Sequence, residues 1–170
     1  MKTLLADGPV GPYAAEIEQF GCLAGRWKTL ITYHPADGSP VRRVTGAWEF
    51  GYALEGRAVL DVWRWPGEDE DLPEGGRAPD QECGLCVRVW DPRLRLWRFT
   101  FHGTARGDLV HMYARRVGDE IVMERATGRD LVRWTFSDIG ADAFRWRNER
   151  SADGGATWRL DQEVDAHRVR

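Results

Sequence analysis

From Trp27 to Val164 apolar and polar side chains alternate residue by residue in short runs rich in Val, Thr and aromatic rings. Gly, Asp and Pro interrupt these runs about every ten residues. A period of two puts successive side chains on opposite faces of an extended strand, so each run reads as a strand with one face toward a core. Ten strands are predicted, near 26–34, 43–52, 57–65, 84–91, 95–102, 108–116, 119–126, 130–137, 142–150 and 156–166. Most junctions are tight: Leu54-Glu55-Gly56, Asp91-Pro92-Arg93, Gly118-Asp119 and Thr127-Gly128-Arg129 are turn sequences. Links this short join antiparallel neighbours, so the topology is a meander.

Residues 11–21 carry the other period. Pro12 suits a first helical position, Tyr13, Ile17 and Phe20 fall on one face, and Gly21 ends the run. An antiparallel meander loses its exposed edges only by closing on itself. The prediction is therefore all-β: an up-and-down antiparallel closed β-barrel of about ten strands, one domain over residues 1–170, with the barrel at 26–166 and the short N-terminal helix capping one end. The connection at 66–82 breaks the pattern, with seven acidic residues against Arg77, and with Pro73 and Pro79 after the opening Pro66. It reads as a flexible acidic loop, with a lid over the barrel mouth as the alternative.

Taking the more apolar parity of each strand as inward fills the barrel with rings. The inner face then carries Trp27, Thr29, Ile31 and Tyr33, then Trp48, Phe50 and Tyr52, then Val59, Asp61, Trp63 and Trp65. Next come Leu85, Val87 and Val89 and then Trp97, Phe99 and Phe101, followed by Leu109, His111 and Tyr113 and by Ile121 and Met123. Val132, Trp134 and Phe136, then Phe144, Trp146 and Asn148, and finally Trp158, Leu160, Gln162 and Val164 complete the wall. Of nine tryptophans only Trp90 is left outside. Aromatic walls with a few polar groups are how small-molecule pockets are built, and the expected ligand contacts are Trp48, Phe50, Trp63, Phe99 and Phe101 with Met123, Trp134, Trp146 and Asn148. The same rings are also large enough to fill a barrel outright, so pocket and plug both remain open.

Polar residues on an inner face must find partners, which singles out Asp61, His111, Asn148 and Gln162. With Tyr113 beside it, His111 is placed for acid–base work near neutral pH, and Asp61 for orienting it across the cavity. Glu124, Arg125 and Glu149 are the reserves if their strands are turned the other way.

Hydrophobic residues at 42%, charged residues at 30% and a net charge of −3 describe a folded soluble chain. They offer no basic footprint for nucleic acid or an anionic membrane. The 22 arginines against two lysines are scattered singly. No apolar stretch is long enough to span a bilayer and the start lacks a signal-peptide core. Three cysteines make no disulfide framework, and a cytoplasmic location is expected. Cys83-Gly-Leu-Cys86 has a metal-knuckle spacing without its second half, and on a strand the two thiols face opposite ways, so no metal is expected. No cofactor is expected either; haem on one histidine is the alternative left open. Hydrolase and nucleotide signatures are absent. The partner is a small-molecule ligand or substrate, with a homo-oligomer possible.

Ser151-Ala-Asp153-Gly-Gly155-Ala-Thr157-Trp158 looks like the Asp-box hairpin S-x-D-x-G-x-T-W, present once, and reads as a turn staple. Together with Phe20-x-x-Leu23-Ala-Gly25-Arg-Trp27 and Val87-Arg88-Val-Trp90-Asp91-Pro92 followed by Trp97-Arg98, it resembles a family of lipocalin-like, calycin-type bacterial proteins. That resemblance implies a closed barrel holding a small organic molecule. It also implies a Gly25-x-Trp27 plug at the closed end beneath an arginine from a late strand, Arg145 or Arg159. Three functions follow: a carrier of an aromatic metabolite; a cyclase, isomerase or dehydratase of a natural-product pathway using Asp61, His111 and Tyr113; or an interaction module acting through the acidic loop.

Overall fold

The computed structural model describes residues 4–67 and 81–170. Its strands are β1 (Gly25–Tyr33), β2 (Arg42–Ala53), β3 (Ala58–Arg64), β4 (Cys83–Asp91), β5 (Leu96–His102), β6 (Leu109–Val117), β7 (Glu120–Thr127), β8 (Asp130–Ser137), β9 (Ala143–Ser151) and β10 (Arg159–Arg168). Each pairs antiparallel with its neighbours in sequence, and β1 closes on β10 from Trp27↔Arg168 to Tyr33↔Gln162. The expected closed up-and-down barrel is the fold. Residues 68–80 of the acidic connection, and with them the loop and lid expectations, lie outside the described residues.

Helix α1 (Ala14–Gly21) is shorter than the 11–21 expected, because Gly11 sits at φ +96° and keeps the preceding turn out of helical geometry. Ile17, Phe20 and the following Leu23 are buried in the barrel end. Tyr13, expected on that face, is exposed. Tyr52 Oη donates to Glu18 Oε2 at 2.7 Å and ties the helix to the wall. Gly25, at φ +128°, opens β1, and the Arg168 guanidinium occupies the space a Cβ would need there. Arg168 Nη1 donates to the Ala24 carbonyl at 2.7 Å, the guanidinium lies 4.1 Å from the Trp27 ring centre, and Trp27 Nε1 donates to the Leu23 carbonyl at 2.8 Å. The late-strand arginine of this plug is therefore Arg168, in register with Trp27. Arg145 pairs with Asp165 and Arg159 with Asp161 instead.

The inward faces of β1, β2, β3, β5, β7, β8 and β9 are those expected, and three elements need correction. On β4, Leu85 and Val89 are exposed, while Cys86 and Arg88 are buried and Trp90 packs edge-on against Trp97. On β6, Leu109, His111 and Tyr113 face out, and Val110, Met112 and Ala114 face in. Both parities of these two strands carry apolar residues, so apolarity alone does not choose between them. On β10 a bulge between Leu160 and Gln162 exchanges the faces, leaving Trp158 and Leu160 outside while Gln162 and Val164 point in.

The reversal of β4 has an electrostatic cause. Asp61 on β3 is buried and inward, and Arg88 Nη1 meets its Oδ2 in an ion pair sealed from solvent. Trp48 Nε1 donates to Asp61 Oδ1 at 2.5 Å. The guanidinium lies 4.7 Å from the Phe20 ring centre and 4.9 Å from that of Phe99, with Phe50 and Phe136 just beyond. A carboxylate in a dry interior needs a countercharge, and ring faces are the apolar surface a guanidinium tolerates best. Around this pair Trp27, Trp97, Phe99, Phe136 and Phe144 are fully buried, so the helix half of the barrel is solid.

Asp61→Asn leaves the Arg88 charge buried without a partner and is expected to lower unfolding free energy by about 3–5 kcal/mol. The double variant Asp61→Leu/Arg88→Met is expected to recover most of that loss. Urea unfolding of both checks this, and a single variant within about 1 kcal/mol of the parent contradicts the account.

Candidate functional site

Toward the other end the packing loosens. Trp134, Asn148, Gln162 and Tyr33 form one row around the wall, in register across β8, β9, β10 and β1. Trp63 and Phe101 face them from β3 and β5, and Trp146 lies one step deeper on β9. Trp63, Phe101, Trp134, Asn148 and Gln162 are half-buried, whereas the rings beneath them are closed off. Aromatic contacts join the row: Trp134 meets Trp146 at 5.4 Å and Phe101 at 6.3 Å, and Trp146 meets Trp48 at 6.0 Å.

The polar atoms of this layer set it apart. Trp63 Nε1, Trp134 Nε1, Trp146 Nε1, Asn148 Oδ1, Gln162 Nε2 and Thr29 Oγ1 are buried, and each lacks a hydrogen-bond partner in the protein. An unmatched buried polar group costs about 1–3 kcal/mol, and folded domains seldom carry several together without a use for them. Four of the six atoms belong to donors only, or to the donor side of an amide or indole, so the layer is richer in N–H than in acceptors.

Trp48, Phe50, Phe99 and Met123, expected as ligand contacts, are buried in the floor, and Trp48 already gives its N–H to Asp61. Trp63, Phe101, Trp134 and Asn148 form the half-buried layer above, with Trp146 buried beneath them. The proposed trio is not brought together. Asp61 is inside, bound to Arg88 and Trp48. His111 and Tyr113 stand on the outer wall with rings 5.0 Å apart. The reserves Glu124 and Glu149 also face out, held by Arg115 at 3.0 Å and Arg133 at 3.1 Å, while Arg125 follows the inward stripe to the rim. Arg88 was missed from the sequence; the signal was an inward Asp61 that demands a cation on an adjoining strand.

Burial governs the ionisable groups inside. It lowers the Arg88 guanidinium to about 9, still above neutral pH, so the ion pair stays charged. It raises the Tyr33 hydroxyl to about 12 and pushes the Cys86 thiol upward, leaving that sulfur inert. Cys83 and Cys86 are free and face opposite sides of β4, as their spacing requires. All four histidines lie on outward positions of the wall. Among the described residues no group of three or more His, Cys, Asp and Glu is placed to hold a metal ion.

At the mouth the hairpin after β9 is stapled as its sequence indicates. Ser151 Oγ accepts from Gly155 N–H at 2.8 Å, Asp153 accepts from Thr157 N–H at 2.9 Å and Thr157 Oγ1 at 2.7 Å, and Trp158 Nε1 donates to the Gly155 carbonyl at 3.1 Å. The Arg133 guanidinium lies 3.9 Å from the Trp158 ring centre.

No protein-family model matches this chain, and no curated protein matches it. Among solved structures it is similar to Rv2717c from M. tuberculosis, with a TM-score of 0.61 and 11% identity over 95% of this chain and 99% of that one. It is also similar to the S-type phycobiliprotein lyase CPES from Guillardia theta, with a TM-score of 0.54 and 11% identity over 90% of this chain and 92% of that one. The likeness is one of fold alone, the closed antiparallel barrel described above. No helix among the described residues is long and apolar enough to cross a membrane.

Hydrogen bonds from the Thr157 N–H, the Thr157 hydroxyl and Ser151 hold the Asp153 carboxyl well below its ordinary 3.8. A depressed folded-state pKa contributes stability above the unfolded value, and that stability is lost as pH falls below it. The melting-temperature gap between the parent and Asp153→Asn is therefore expected to be constant above pH 5 and to narrow below about 3.8; a gap that widens on acidification contradicts this.

Proposed function

We propose that the barrel binds a small aromatic organic molecule, rich in hydrogen-bond acceptors, in the mouth half of its interior. One observation carries the reading: buried indole and amide groups on the inward faces of the mouth half have no partner in the protein. A planar guest stacks on Trp63, Phe101 and Trp134, and its oxygens or ring nitrogens accept from the Trp134, Trp146 and Gln162 N–H groups. Asn148 Oδ1 and Thr29 Oγ1 take the few donors such a guest carries. The solid helix end sets the depth of entry, because the rings around Arg88 and Asp61 leave no further room. A barrel of the same shape named as a phycobiliprotein lyase is in keeping with a site that handles a small organic group.

The test is a panel of aromatic and polycyclic metabolites with carbonyl or ring-nitrogen acceptors, followed by tryptophan emission and melting temperature. A ligand at a hundred times its Kd is expected to add about 2.7 kcal/mol of stability and to quench the emission. A panel in which no member moves either signal refutes the reading. The free protein supplies a second check. Asn148→Leu removes an unmatched polar group, so it is expected to leave stability unchanged or raise it by up to about 1 kcal/mol while weakening the ligand. A clear loss of stability would make Asn148 structural instead.

A further inference from the structure

The seam between β6 and β7 closes only halfway. Pairing runs from Val117↔Glu120 to Tyr113↔Glu124 and stops, although β6 begins at Leu109 and β7 continues to Thr127. Over the same stretch β6 stays in register with β5 as far as His102↔Leu109, and β7 with β8 as far as Thr127↔Asp130. Each strand holds its outer neighbour while the two part from one another, which leaves a slot in the wall bordered by backbone N–H and C=O groups without a ladder partner. A cavity of about 720 Å³ lies there, open to the outer side of the wall and lined among others by His111, Tyr113, Arg115, Glu124, Arg125 and Trp158.

Behind the slot stands an indole. Trp134 is carried by β8, yet its ring meets Phe99 at 5.5 Å and Phe101 at 6.3 Å on β5, so it spans the inside of the wall past β7 and β6. Its Nε1 is one of the buried donors without an acceptor. Arg125 gives the slot its charge. It continues the inward stripe of Ile121 and Met123 and is in register with Val132. Among the described residues it makes no ion pair or hydrogen bond, unlike its neighbours. Glu124 lines the same cavity but is held by Arg115 at 3.0 Å, Arg133 is held by Glu149 at 3.1 Å, and Arg150 and Arg159 share Asp161 at 2.7 and 2.8 Å. Of the two arginines that line the opening, Arg115 is held by Glu124 and Arg125 has no partner among the described residues.

We propose that the β6–β7 slot holds an anionic group of the ligand, a carboxylate or sulfonate, with Arg125 taking the charge at the wall and the Trp134 indole N–H meeting an acceptor on the ring system behind it. This rests on the reading of the mouth half as a small-molecule site, and narrows it to aromatic acids. A guanidinium offers a planar fork to such a group, and Arg125 presents it at the exposed rim of the slot.

Two dyes with the same rings test it: 1-anilinonaphthalene-8-sulfonate and its neutral counterpart N-phenyl-1-naphthylamine. Each is titrated into the full chain and followed by dye emission, with near-ultraviolet circular dichroism to confirm that every variant is folded. The parent is expected to bind the sulfonate dye more tightly, and added salt to weaken that dye alone. Arg125→Gln is expected to weaken the sulfonate dye about tenfold and leave the neutral dye unchanged. Arg125→Lys is expected to retain most of the preference, and Trp134→Phe to weaken both dyes. If Arg125→Gln leaves the affinity ratio of the two dyes unaltered, the slot is not an anion site, while binding of both dyes that Trp134→Phe weakens keeps the interior reading standing. Failure of both dyes to bind the parent overturns the proposal outright, and the metabolite panel then decides the interior reading separately.

Discussion

A carboxylate and a guanidinium buried together in the lower barrel are the constraint on which the rest depends. Asp61 projects from β3 into a space ringed by Phe20, Phe50, Phe99 and Phe136, where a lone charge would be prohibitively costly. Arg88 answers it from β4, and the Trp48 indole takes the second oxygen. The pair decides which face of β4 looks inward, gives Phe20 of the helix a cation to pack against, and leaves the floor with its carboxylate satisfied. Arg168 does comparable work at the very end, filling the space beside Gly25 and covering Trp27. Both arginines lie flat on rings, which lets a charged side chain serve as packing surface.

Above that floor the same kinds of residue are arranged to a different end. Indoles and amides that would be matched in a structural core are left with free N–H and C=O groups facing one space. At the helix end the buried carboxylate and guanidinium meet each other, with Arg88 Nε left without an acceptor, and toward the mouth the unmatched groups are indoles and amides. Unmatched donors of this kind are what the proposed guest would satisfy, and they are the physical reason for proposing a binding site at the mouth. The half-closed β6–β7 seam belongs to the same end, so the backbone too has its unmatched groups there.

Similarity of fold to two solved barrels at 11% identity fixes the architecture and leaves the chemistry to the side chains. That chemistry departs from an acid–base trio, since His111 and Tyr113 are separated from Asp61 by the wall itself. What remains within reach of an interior guest is a set of hydrogen-bond donors and ring faces, groups suited to holding and orienting a molecule.

The alternation of the chain determined by itself that there would be ten antiparallel strands, where their turns fall, and that a helix would close one end, because a period of two and a turn residue are local properties. It also marked Trp63, Phe101, Trp134, Trp146 and Asn148 for the inner face, since on their strands only one parity is ring-rich. It could not settle β4 or β6, where Leu85, Val87 and Val89 rival Cys86, Arg88 and Trp90, and Leu109 and Tyr113 rival Val110, Met112 and Ala114. There the decision rests on partners far away in sequence: Asp61 draws Arg88 inward, and Met112 faces Phe99 across the ladder. The bulge in β10 is settled by its register with β9, and the choice of Arg168 as the cover of Trp27 by register between strands more than a hundred residues apart in the chain, neither of which the alternation of apolar residues encodes.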